Sequence, residues 1–258
     1  MIPDVQSQKD PRGIAIDRVG IRDMRIPIIV MDPRNRTQST IADAEVSVRL
    51  PGEVRGTHMS RFVEALGEVV ILEPKAIKEL LEELAEKLDC KEAHISLTFP
   101  YFIDKRSPVS DKRSKLDVDC TIEAHLTDSF RFLLSVDVPV TTLCPCSKEI
   151  SIFGAHNQRA RCKVTIEGTK LIWIEDVVDL VEKHASAPIY PLLKRVDEKF
   201  VTEHAYENPR FVEDVVRDIA LELEEEHPRY AVTIDSHESI HNHNAFAIID
   251  RLDGKDEA

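Results

Sequence analysis

Apolar residues fall at every second position in some stretches of this chain and at helical spacing in others. In residues 40–50, Ala42, Ala44, Val46, Val48 and Leu50 share one side, the period of a half-buried strand, and Pro51-Gly52 stops it. Residues 21–32 are β-branched (Ile26, Ile28, Ile29, Val30) and run into Asp32-Pro33-Arg34-Asn35, which predicts a strand and then a turn. A short helix is predicted at 58–66. A longer one at 74–88 has Ile77, Leu80, Leu81, Leu84 and Leu88 on one face and Pro74 in its first turn. Residues 94–102 and 116–127 alternate again.

The second half repeats this order. Strands are predicted at 130–143 and 159–167, helices at 175–184 and 209–226, and strands at 229–235 and 245–252. A short echo accompanies the repeat: Gly56-Thr57-His58-Met59-Ser60-Arg61 and Gly154-Ala155-His156-Asn157-Gln158-Arg159 both read Gly-x-His-x-x-Arg. The expected organisation is α+β: an N-terminal arm at 1–20, a ββααββ unit at 21–128 and a second at 129–258. An antiparallel sheet with helices on one face leaves open edges, so the architecture predicts a homo-oligomer.

Charge narrows the partners. The 258 residues carry 34 Lys+Arg against 47 Asp+Glu, a net charge of −13. Most of such a surface repels a polyanion, so nucleic-acid binding is disfavoured, whereas a phosphate-bearing small molecule needs only a local basic pocket. No window approaches the roughly 18 apolar residues of a membrane span, and residues 1–10 are polar. A cytoplasmic protein without a membrane partner is expected. Five cysteines in a chain this long do not read as a disulfide framework, and Cys144 and Cys146 are nearly adjacent. Cys120 and Cys162 sit in alternating strands and read as core, and Cys90 as inert.

Chemistry concentrates in four places. Thr141-Thr142-Leu143-Cys144-Pro145-Cys146-Ser147-Lys148 ends a predicted strand, and His156 follows 12 residues after Cys144. Thiolate and imidazole hold zinc and late first-row metals, but the spacing matches no closed finger. Spacing alone leaves three readings open: an open metal site, a reactive thiol, or half-buried cysteines beside a satisfied histidine. The second place, Asp235-Ser236-His237-Glu238-Ser239-Ile240-His241-Asn242-His243-Asn244, is either a proton-transfer site or a polar hairpin tip. His241 and His243 alternate and can point to one side. The third, residues 194–207, mixes Lys194, Arg195, Glu198, Glu203 and His204 and has the composition of a solvated face. The fourth is Glu213, early in a helix; a carboxylate there can be ordinary helix chemistry or can accept two N–H bonds from guanine.

Taken in order, Leu143–Lys148, Gly154–Arg159, Tyr190-Pro191-Leu192-Leu193-Lys194-Arg195 with Asp197-Glu198-Lys199, Asn208-Pro209-Arg210-Phe211-Val212-Glu213-Asp214 and Ser239–Ala245 resemble the type IB GTP cyclohydrolase I family. The resemblance spans nearly the whole chain, including Gly56–Arg61 and Ser107-Pro108-Val109-Ser110. One departure is Asp111, where the family pattern has glycine, and it bears on the shape of that loop. The resemblance implies a tunnelling fold of duplicated ββααββ units closing into a barrel-like homotetramer. The implied reaction takes GTP and water to 7,8-dihydroneopterin triphosphate and formate. It also implies a divalent metal (manganese, iron or zinc) on Cys144, His156 and Glu198, with Cys146 as the alternative sulfur ligand. Guanine anchoring falls on Glu213, and proton transfer on His241 and His243. Lys148, Arg159, Arg161, Lys194 and Arg195 are the candidates for the triphosphate.

Two rivals stand beside it. A zinc deaminase needs Pro-Cys-x-x-Cys, and no cysteine lies three residues after Cys146. A non-catalytic metal-binding or thiol-redox module would use Cys144-Pro145-Cys146 alone.

Overall fold

The computed structural model describes residues 5–253 other than 7 and 68; of the expected arm and second unit, residues 1–4, 7 and 254–258 lie outside the described residues. The chain is mixed α+β with a large, mainly antiparallel sheet, and it divides into two compact units. Three long strands, β4 (Ala93–Arg106), β5 (Arg113–Leu126) and β6 (Phe130–Leu143), give residues to both.

The first unit adds β1 (Ile16–Asp32), β2 (Arg36–Leu50), α1 (Met59–Leu66), β3 (Val70–Leu72) and α2 (Pro74–Leu88), in the strand order β6-β5-β4-β2-β1-β3. The alternation in β2 does what its period requires: Ala42, Ala44, Val46, Val48 and Leu50 are all buried. On α2 the buried residues are Pro74, Ile77, Leu81 and Leu84. Strand β1 starts five residues earlier than the apolar run, so part of the expected arm is sheet. Its pairing slips between Ile21 and Met24, next to Asp23 at φ 58°. Gly20 in that strand has no substitute, since a Cβ there would stand 1.9 Å from the Val46 carbonyl oxygen.

The second unit gathers Tyr101–Cys120, Ser135–Glu167 and the described residues from Ile172 onward. It adds α3 (Pro145–Ile150), β7 (Asn157–Glu167), α4 (Ile174–His184), β8 (Ala187–Pro188), α5 (Arg195–Glu207), α6 (Val212–Glu226), β9 (Tyr230–Ser236) and β10 (Ala245–Asp250). The strand order is β10-β9-β7-β6-β5-β4, with β8 on β6. Helix α6 buries Val212, Val215, Val216, Ile219, Ala220 and Leu223, and its large side chains contribute roughly 1.5–3 kcal/mol each. Cys120 and Cys162 are buried as expected, and burial pushes the Cys162 thiol up to about 12. All five cysteines are free.

Helix α5 is held differently. It buries only Ala205 and Asp197, so no apolar stripe announces it. Its anchor is the Asp197 carboxylate, fully buried, which accepts hydrogen bonds from the backbone N–H of Val109 (2.9 Å), Ser110 (2.8 Å) and Lys194 (2.8 Å) and from the Ser110 hydroxyl (2.6 Å). Bonds to an ionised acceptor are roughly twice as strong as neutral ones, which suits an anchor made of so few residues. The loop that supplies them is shaped by Asp111, which adopts φ 51°, the left-handed conformation that glycine supplies without strain. Asp111 thus takes here a conformation that a glycine would reach more easily.

The anchor has a pH signature. Burial raises the Asp197 pKa, but the bonds from Ser110, Lys194 and Val109 outweigh it and hold the carboxyl well below the usual carboxylate range. A carboxyl depressed on folding stabilises fully above its unfolded pKa of about 3.9, and that stability is lost as pH falls toward the folded value. Asp197→Asn should lower the thermal midpoint near neutrality, and its gap to wild type should shrink progressively below about pH 4. Melting curves between neutral and strongly acidic pH test this; a gap that stays constant contradicts it.

Candidate active site

The sequence-predicted site residues all belong to the second unit, and the last two residues of the strand-to-helix junction organise them. The Leu143 N–H donates to the Ser186 hydroxyl (3.0 Å), and the Leu143 carbonyl accepts from the Arg210 N–H (3.0 Å), just ahead of α6. The Cys144 N–H donates to the His156 carbonyl (3.2 Å). The apolar cluster of Leu143, Ala187 and Ala205 packs against Ala155 and Val201. Two residues thus tie together β6, the segment entering β7, helix α5 and the start of α6.

Cys144 is the N-cap of α3, with Pro145 in the first turn, where a missing N–H costs nothing. Its Sγ accepts from the Ser147 N–H at 3.4 Å. Ser147 also stitches the two donor segments: its hydroxyl donates to the Cys144 carbonyl (3.3 Å) and accepts from the His156 N–H (3.1 Å). Cys144 and His156 are half-buried, and Cys146 is exposed. Glu198 is exposed in the first turn of α5, on the same helical stripe as Val201 and Ala205, three and seven residues on. Those two belong to the apolar cluster around Leu143, with Ala155 packed against it, and Glu198 stands on their stripe at the start of the helix. Among the described residues, no three His, Cys, Asp or Glu side chains are gathered closely enough to hold a metal ion.

Strand register brings in the histidine loop. Ser236, the last residue of β9, pairs with Ala160 in β7 and with Ala245 in β10, and the His237 N–H donates to the Arg159 carbonyl (2.9 Å). The loop 237–244 therefore leaves the sheet at the end of β7 where His156 enters. The rings of His241 and His243 stack at 5.0 Å with an interplanar angle of 18°, on one side of the loop, and both residues are exposed.

Glu213 lies in the first turn of α6 and is exposed, while its neighbour Asp214 caps the helix by accepting from the Phe211 N–H (3.0 Å). Of the basic candidates, Arg159, Lys194 and Arg195 are exposed. Lys148 donates to the Tyr206 carbonyl and sits 4.5 Å from the centre of the Tyr206 ring. Arg161 is withdrawn from the set: it is committed to Asp137 (2.9 Å) and Asp119 (2.8 Å) across neighbouring strands.

Sequence reasoning passed over Asp197 and Gln158. Asp197 lies inside a charge run; its signal is an acid three residues after the N-cap Lys194, the N3 position of a capping box. Gln158 stood in the Gly-x-His-x-x-Arg echo without a role; its signal is its place two residues after His156, on the same side of an extended segment.

By fold the chain is similar to the uricases. The uricase of Arthrobacter globiformis matches it with a TM-score of 0.52, covering 93% of this chain and 96% of that one at 9% identity. The urate oxidase of Bacillus sp. TB-90 matches with 0.51, covering 91% and 99% at 8%. At such identities the likeness concerns the fold alone.

The sequence is more specific. The family model described as type I GTP cyclohydrolase folE2 matches residues 2–247. The GTP cyclohydrolase FolE2 of Thermotoga maritima is 54% identical over 253 residues, 97% of each chain. That of Caldicellulosiruptor bescii is 53% identical over 249 residues, 96% of this chain and 97% of the other. The chain belongs to the type I GTP cyclohydrolase folE2 family.

Proposed function

We propose that this GTP cyclohydrolase I, active in folate-type pterin synthesis, converts GTP and water to 7,8-dihydroneopterin triphosphate and formate at the Leu143–Cys144 junction. We read it as the type IB form, cytoplasmic, with a duplicated ββααββ tunnelling fold assembled as a homotetramer. The observation that carries the site is the junction itself, where a thiol, an imidazole, the Glu198 stripe and the start of α6 are tied to two residues. The donor set fits a divalent ion of intermediate softness: Cys144 sulfur, His156 nitrogen and Glu198 oxygen, with Cys146 as the alternative sulfur. Manganese, iron and zinc all suit that mixture.

Such an ion would supply Lewis acidity, acidifying the water that attacks C8 of the purine. The residues of the chain do the rest. The Glu213 carboxylate accepts the N1–H and N2–H of guanine and sets the base in register, which converts an encounter into an oriented reaction. His241 or His243 delivers a proton to N7 as C8 is attacked, and then serves ring opening and loss of C8 as formate. Lys148, Arg159, Lys194 and Arg195 offset the triphosphate charge against an acidic surface.

Assembly is supported by apolar side chains beside the site. Ile150, the last residue of α3, and Ile152 and Phe153 just beyond it are 83, 90 and 98% exposed, and Phe246 on edge strand β10 is 67% exposed. Large bare apolar groups on a soluble surface mark a contact, and a second copy of the chain covers them in this reading. One experiment tests the whole. The purified protein, incubated with GTP and Mn²⁺, should give a product that fluoresces as a pterin after oxidation, and it should sediment as a tetramer. No product with manganese, iron or zinc would overturn the metal-assisted site, and an active monomer would overturn the assembly.

A further inference from the structure

The mechanism above leaves unused the side chain two residues beyond His156. We propose that Gln158 is a positioning residue that fixes the tautomer of His156, so that Nε2 is the nitrogen presented to a metal ion. The inference rests on the reading of His156 as a ligand.

An ionised carboxylate only accepts hydrogen bonds. Gln158 Nε2 lies 3.3 Å from Glu238 Oε1, so the NH₂ end of the amide faces Glu238. The amide oxygen then faces His156 Nδ1 at 3.0 Å. An amide oxygen donates nothing, so Nδ1 carries the hydrogen. Neutral imidazole has a single N–H, which leaves Nε2 as the bare lone pair. Reversing the amide would turn its oxygen onto the Glu238 carboxylate, acceptor against acceptor, and lose that bond. Glu238 thus orients Gln158, and Gln158 orients His156.

The surroundings make the arrangement effective. The side chains of His156 and Glu238 are only 14% and 11% exposed, so water competes little for these bonds. Glu238 Oε2 stands 4.0 Å from Nδ1, too far for a hydrogen bond of its own, so the ring nitrogen is left to the Gln158 amide. The backbone is fixed independently: the His156 N–H is held by Ser147 and its carbonyl by Cys144, so the ring has one defined origin. Ligating histidines commonly donate their second nitrogen to an oxygen acceptor, which sets ring orientation and raises basicity.

The test is Mn²⁺ affinity of the full chain, measured by competition with a fluorescent chelator. Gln158→Leu keeps the bulk and deletes both bonds; it should raise the Mn²⁺ Kd by about 10–100-fold. The exchanged pair, Gln158→Glu with Glu238→Gln, restores an acceptor toward Nδ1 and a donor between the two side chains, and should return the Kd to near wild type. Circular dichroism and sedimentation on the same samples confirm that each variant is folded. Wild-type affinity in Gln158→Leu, or an exchanged pair as weak as Gln158→Leu, overturns this inference alone. A wild-type protein that takes up no Mn²⁺ overturns the reading of His156 as a ligand, and this inference with it.

Discussion

Glu213→Gln should lower kcat/KM for GTP by roughly 10²-fold or more, from the loss of charge-assisted bonds to the base. Guanine offers two adjacent donors, N1–H and N2–H, and a carboxylate accepts both. Glutamine keeps the size but turns one acceptor into an amide donor that faces a guanine N–H. Adenine has an acceptor at N1 and no amine at C2, so ATP leaves the carboxylate unpaired and should be rejected by a few kcal/mol. The position suits the role. Asp214 is spent on capping α6, whereas Glu213 in the same turn is exposed, and the helix start is pinned to Leu143 through Arg210. Steady-state kinetics with metal analysis on the same preparation decide the matter. Unchanged kcat/KM removes Glu213 from the base site, and lost metal moves it to the metal shell.

On the proposed metal site, Cys144→Ala and His156→Ala should each reduce turnover by on the order of 10³-fold or more, because losing the ion would remove several kcal/mol of Lewis-acid assistance at about 1.4 kcal/mol per power of ten. Neither side chain carries the fold. Both residues are half-buried, and the bonds that join their segments run through backbone groups and Ser147. The variants should therefore remain folded and keep their oligomeric state while losing metal. Metal content, circular dichroism and turnover are the measurements. Either variant retaining near wild-type activity with metal bound would remove that residue from the ligand set.

Strands and helices with a strong period were legible because one face of each is buried. The predicted strand at 130–143 and helix at 74–88 coincide with β6 and α2. Elements without an apolar face were not legible. Helix α5 buries one alanine and one aspartate, and its residues scan as a solvated charge run. Strand β8 is two residues long, and β3 three. The short α3 was hidden by the chemistry of its own first residues, Cys144-Pro145-Cys146. Among the candidate phosphate groups, sequence could not separate Arg161 from Arg159. They are two residues apart and both exposed, yet Arg161 is paired with Asp137 and Asp119.

The sequence by itself determined the GTP cyclohydrolase I activity, the α+β class and the inventory of reactive side chains. Those follow from residue identity and from periods of two and 3.6 that any fold must honour. Only the tertiary structure decided which chain segments meet. The Ala160–Ser236 register sets the histidine loop at the end of β7 that follows His156, and Val201 and Ala205 of α5 join the apolar cluster around Leu143. The buried Asp197 joins a loop nearly ninety residues away to the start of α5. Each of these is a long-range contact fixed by hydrogen-bond geometry and close packing, and neither leaves a local period for a one-dimensional reading to detect.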